Sequence, residues 1–155
     1  MKLLHPLRRL LAISVLMLPL IACAEQSNKI AFKPLKSGNA LALVVAEPTV
    51  LVFNNQQDWE AFWQKQENGD TAPQGDFSRE MFLAVVDSTQ PNGGYGITIN
   101  TIEEKNGQLF VQGVRTKPGD NCITTMMMSQ PYAIVNLAKS SATPTLVLTT
   151  EQKGC

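Results

Sequence analysis

Between the β-like runs "YGITINTI" (Tyr95 to Ile102) and "QLFVQGVRT" (Gln108 to Thr116) stands Lys105-Asn106-Gly107. Asn-Gly flanked by two such runs is the strongest short-range hairpin signal, because both turn positions require positive φ. In the first run, alternation sends Tyr95, Ile97 and Ile99 to one side. This part of the chain is read as a tight antiparallel pair.

The neighbouring runs extend the pattern. "ALALVVA" (Ala40 to Ala46) and "TVLVF" (Thr49 to Phe53), separated by Glu47-Pro48, predict a hairpin. The period then changes: in "NNQQDWEAFWQKQENG", Trp59, Phe62 and Trp63 fall at i, i+3 and i+4. This predicts a helix over about residues 56–66, capped by Asn54 or Asn55 and stopped by Asn68-Gly69. Its aromatic stripe is read as the face that seats the helix on a sheet, rather than as a ligand platform. "MFLAVVD" (Met81 to Asp87) is apolar on both faces, as a central strand between helix and core would be. "YAIVNLA" (Tyr132 to Ala138) and "TLVLTT" (Thr145 to Thr150) complete the set. Connections this short exclude repeated parallel crossovers. The fold class expected is α+β: a mainly antiparallel β-sheet or sandwich with one helix packed on it.

The N-terminus bounds where the chain resides. Residues 1–22 place Lys2, Arg8 and Arg9 ahead of an apolar run from Leu10 to Ile21, the form of an export signal and too short for a stable span. "LIAC" (Leu20 to Cys23) resembles the lipobox of bacterial lipoproteins, which makes Cys23 the lipidation site, although Ala22-Cys23-Ala24 also fits ordinary signal peptidase. A lipid on Cys23 would tie the protein to a membrane. Ala24 after the cysteine resembles outer-membrane lipoproteins, so the expected location is the bacterial cell envelope, on the outer membrane facing the periplasm; the alternative is a soluble periplasmic protein. Residues 23–38 are polar enough to be a tether, with Ile30 and Phe32 offering a first short strand, and residues 39–155 form a single domain.

Removal of the signal narrows the chemistry. The only histidine, His5, leaves with it, which excludes a Ser-His-Asp triad, a Cys-His pair and the usual zinc sites. Ten bases then face thirteen acids without a basic cluster, which argues against nucleic acid as partner. Cys122 and Cys155 remain, an even number suited to an oxidising compartment. A disulfide between them would pin the C-terminus and contribute roughly 3.5–4 kcal/mol on the chain-entropy model. The rival reading, a reactive thiol at Cys122, lacks a histidine to activate it.

The glycine-rich stretch "QPNGGYGITIN" (Gln90 to Asn100) invites comparison with phosphate-binding loops. Its spacing matches neither the dinucleotide fingerprint nor the P-loop, and a β-like run follows it rather than a helix. It is read as a turn in which Gly93 and Gly94 reverse the chain and Tyr95 opens a strand.

These same residues carry a family resemblance. "GDFSREMFLAVV", "PNGGYGITINTI", "GQLFVQGVRTKPGDNC" and "SQPYAIVNL", in this order, resemble the PrcB C-terminal domain family, and "QDWEAFW" resembles that family's Trp-bearing helix. The resemblance covers residues 40–150, and its most telling steps are Asp76-Phe77, Gly93-Gly94-Tyr95 and Pro131-Tyr132. Members are commonly bacterial envelope proteins, and the founding example is a lipoprotein subunit associated with a surface protease. The resemblance implies an accessory or stabilising role without catalytic residues. Gly93, Gly94, Tyr95, Pro131 and Tyr132 are the binding surface it suggests.

Other features add little chemistry. Met126, Met127 and Met128 might be taken for soft-metal ligands, but on a strand they would alternate between faces, so core or adaptable contact surface is the reading preferred and no metal or cofactor is assigned. Asp58, Glu60, Asp76, Asp87, Glu103 and Glu104 offer carboxylates, yet no spacing singles out a glycosidase pair. The expectation is a non-enzymatic envelope lipoprotein that binds another protein, with a secreted or surface protease as the partner implied. The alternative is a small-ligand or glycan-binding module using Tyr95 or Tyr132.

Overall fold

The computed structural model of the protein describes residues 27–39, 43–66 and 71–155. Along the chain these form β1 (Asn28–Lys29), β2 (Phe32–Gly38), β3 (Thr49–Phe53), α1 (Gln56–Gln66), β4 (Glu80–Val86), β5 (Gly96–Lys105), β6 (Gln108–Pro118), β7 (Tyr132–Ala138) and β8 (Thr143–Lys153). The strands make two four-stranded sheets, ordered β1-β5-β6-β8 and β2-β7-β4-β3. The α+β sandwich expected from the sequence is the architecture found.

Every residue of β4 after Glu80 is buried, and alternation explains why both faces must be apolar. Met81, Leu83 and Val85 point between the sheets, where they meet Ile97, Ile102, Leu109 and Val135. Phe82, Ala84 and Val86 point the other way, into a second cluster with Trp59 and Trp63 of α1. The helix therefore lies on the outer face of the second sheet, giving three layers. Asn55 caps it: its side-chain oxygen accepts from the Asp58 N–H at 2.8 Å, and its amide donates to the Asp58 carboxylate at 2.7 Å. Trp59 is fully buried, donates from Nε1 to the Pro73 carbonyl at 2.8 Å, and meets Phe82 edge-on at 4.7 Å. The aromatic stripe is a packing face, as its spacing indicated. The Asn68-Gly69 stop lies outside the described residues.

The turn at Asn106-Gly107 forms as its residue types demand. Lys105 pairs with Gln108, and the two turn residues sit at φ 52° and 73°. A bulge between Ile99 and Thr101 shifts the register of β5 by one, so that Ile102 joins Ile97 and Ile99 on the buried side. A second bulge, between Pro34 and Lys36, turns Lys36 onto the helix side, where its ammonium lies 5.2 Å from the Trp63 ring centre.

Three expectations change. The predicted hairpin between Ala40–Ala46 and Thr49–Phe53 does not form: Leu43 to Ala46 are outside any strand, and β3 pairs with β4 instead. The chain from 39 to 48 must carry the backbone from one edge of its sheet to the other, about 14 Å across three strand spacings. It cannot also pair with β3. Residues 28–38, read as tether, contribute β1 and β2; Phe32 packs into the core between the sheets, and β2 covers the edge of β7. Finally, β8 runs parallel to β6. The chain makes this one parallel pair by detouring through β7 in the opposite sheet, which supplies the length a crossover needs.

The strands give the sandwich two distinct ends. One end holds the tight Asn106-Gly107 turn, and β1 joins the sheet there through Asn28 opposite Glu104. The other end gathers the 39–48 crossing, the Asp87–Tyr95 loop, the 119–131 loop and the C-terminus.

Candidate interaction face

At the loop-bearing end, the glycine stretch packs against the 119–131 loop. The Gly93 N–H donates to the Thr125 carbonyl at 3.0 Å, and a β-carbon on Gly93 would lie 2.2 Å from Thr125 Oγ1. Gly94 adopts φ 91°, a conformation that side chains disfavour, and is hemmed in by Pro118 and Thr124. Ser129 Oγ donates to the Asn92 carbonyl at 2.7 Å, and Gln90 and Ser129 exchange backbone hydrogen bonds of 2.7 and 3.1 Å. The glycines thus permit close approach of two loops.

Beneath this contact lies an ion pair. Asp87 is fully buried, and its carboxylate receives both Nε, at 2.6 Å, and Nη2 of Arg115, whose side chain is 23% exposed. The hydrogen bond from Asp87 holds the Arg115 guanidinium above its ordinary pKa against the opposing cost of burial; the Asp87 charge, then Glu47 and Tyr95, add electrostatic support. The Ser88 N–H donates to Asp87 Oδ1 at 2.8 Å, while Gln130 Nε2 donates to the Asp87 carbonyl at 3.2 Å. The pair ties the end of β4 to β6 across the two sheets. A closing latch comes from Asn39, whose carbonyl accepts from the Gln130 N–H at 2.7 Å and whose amide donates to the Tyr95 carbonyl at 3.0 Å.

On this rigid base the outer loop carries apolar side chains into solvent. Ile123, Met126, Met127 and Met128 are between 74 and 102% exposed. The three methionines lie outside any strand, so the alternation expected of them does not apply. The loop is clamped at one end by the Cys122–Cys155 disulfide and at the other by the pairing of Ser129 with Gln90.

The sequence-derived residues divide here. Gly93, Gly94 and half-buried Tyr95 do lie at this end, beneath the exposed loop. Pro131 and Tyr132 do not belong to a surface: Pro131 is fully buried and Tyr132 is only 4% exposed, within the cluster under the helix. Tyr132 opens β7 on the helix side of the sheet, so its ring fills the core where Gly38 leaves room for it. Cys23 lies outside the described residues. Sequence reading missed the partnership of Asp87 with Arg115. The available signal was a single charge in each of two otherwise uncharged runs, "MFLAVVD" and "QLFVQGVRT". Among the described residues, no three His, Cys, Asp or Glu side chains gather as a metal site would need.

No curated protein and no solved structure matches the chain. One family model does, over residues 81–138: the family described as PrcB C-terminal. That span runs from the first buried residue of β4 to the end of β7 and includes the glycine loop, Asp87, Arg115 and the methionines. Through this segment, residues 81–138, the chain belongs to the PrcB C-terminal family.

Proposed function

We propose that this protein is a non-enzymatic accessory module of the bacterial envelope, held by a lipid on Cys23 and binding another protein through its 119–131 loop. A protease complex is the setting the family relationship suggests. The observation that carries the reading is the exposure of Ile123, Met126, Met127 and Met128 on a loop held at both ends. Covering four such side chains would contribute on the order of 6–12 kcal/mol before the costs of association. Because the loop is already constrained, less of that gain is lost to ordering it. Methionine suits such a role, being flexible and polarizable enough to fit an irregular partner surface.

The test is crosslinking and recovery of partners from native envelopes carrying the full chain, beside a variant with Met126→Ser, Met127→Ser and Met128→Ser. These exposed substitutions should shift stability by no more than about 0.5 kcal/mol. Loss of a specific protein from the recovered set supports the reading. Recovery of the same proteins by both forms sinks it.

A further inference from the structure

We propose a second, separate site: the open edge of β5 accepts an extended peptide strand with apolar residues at alternate positions. β5 spans ten residues and pairs with β6 along its length on one side. On the other side, β1 covers only Glu103 and Glu104, and the Ile30 N–H reaches one residue further, to the Ile102 carbonyl at 2.8 Å. From Gly96 to Thr101, no strand among the described residues lies along that edge. An uncovered edge is a template for another strand, and most are blunted with charge or proline. β2 carries Lys33, Pro34 and Lys36, and β8 carries Pro144, Glu151 and Lys153. The window Gly96 to Thr101, "GITINT", has no charge and no proline, only the bulge after Ile99.

The space beside this edge matches the proposed occupant. Between β5 and β2 the sheets part to leave a cleft of about 450 Å³, within the range of ligand-binding pockets. Its walls include Phe32, Ile97, Ile99 and Val135, with Ser37 and Thr98 exposed at the rim. A strand paired with β5 would send alternate side chains into this apolar cleft and the others outward beside Thr98 and Asn100. The chain itself demonstrates the mode. β1 runs antiparallel along the same edge and departs after Ile30 toward β2, although the edge continues. A second copy is a poorer occupant, because its own β5 window is flanked by the same Ile30–Phe32 crossing, which obstructs pairing of one folded edge with another. A single extended peptide has no such bulk.

The probe is a mixture of hexapeptides with Val, Ile or Leu at alternate positions and Thr or Ser between them, added at millimolar concentration to the full chain. Amide hydrogen exchange across Gly96 to Thr101 should slow by at least about tenfold. Thr98→Lys and Ser37→Lys, both at exposed rim positions, should each weaken binding about tenfold and leave the unfolding midpoint in place. Unchanged exchange in this window overturns the proposal. So does slowing that survives both lysines, or protection confined to the 119–131 loop. Slowing without peptide, accompanied by a dimer in sedimentation, would assign the edge to self-pairing and equally overturn it.

Discussion

A carboxylate with no exposure is tolerable at position 87 because Arg115 meets it with two nitrogen donors and the Ser88 N–H supplies a third. The two partners are not equivalent, and their loss should differ. Arg115→Met leaves a buried carboxylate without its counter-charge, at a cost of about 3–5 kcal/mol. Asp87→Asn retains a side-chain oxygen for Ser88 and leaves an arginine that already reaches solvent, so it should cost about 1–3 kcal/mol. Urea unfolding of the two variants measures the difference; equal losses, or the reverse order, would refute this account. The partnership was hard to read from sequence because the residues stand 28 positions apart on strands of different sheets. Gly93 and Gly94 were readable as turn residues from composition alone. Thr125, the reason Gly93 has no space for a side chain, was not, since that contact exists only once both loops are folded.

At the scale of elements, local chemistry was the more legible part. Asn106-Gly107 made its turn and Trp59, Phe62 and Trp63 announced the helix, because a two-residue turn and a 3.6-residue stripe are specified within a few positions. "ALALVVA" misled because β character cannot reveal which neighbour is already paired, and β4 occupies the place beside β3. The turn leading into β4 shows another local device. The Ser78 N–H donates to the Asp76 carboxylate at 3.2 Å, and the Arg79 and Glu80 N–H groups both donate to the Asp76 carbonyl at 2.9 Å. Hydrogen bonds from the Ser78 hydroxyl and backbone hold the Asp76 carboxyl below its ordinary value of 3.8, with Arg79 assisting. A folded pKa below the unfolded one contributes stability that is present above the unfolded value and lost as pH falls through the folded one. Asp76→Asn should therefore flatten the fall in stability on acidification below about pH 4, as seen in unfolding midpoints across pH. A curve identical to the parent's would show the turn contributes nothing to acid sensitivity.

For the whole molecule, the Cys122–Cys155 bond joins the exposed loop to the last residue of β8's trailing chain. Cys155→Ser should lower stability by roughly 3.5–4 kcal/mol, and the parent protein treated with reductant should fall to the same urea midpoint. Insensitivity of the parent to reductant would argue against a stabilising bridge. The arrangement of the two sandwich ends has a further consequence for reach. The chain enters its sheet at Asn28, only five residues after Cys23, and it does so beside the Asn106-Gly107 turn. Those residues span at most about 17 Å even when extended. On the lipid-anchor proposal, that turn would face the bilayer, and the ten residues of β5 would raise the methionine loop about 33 Å further out. The apolar loop would then stand clear of the lipid headgroups, at a height suited to meeting a neighbouring envelope protein.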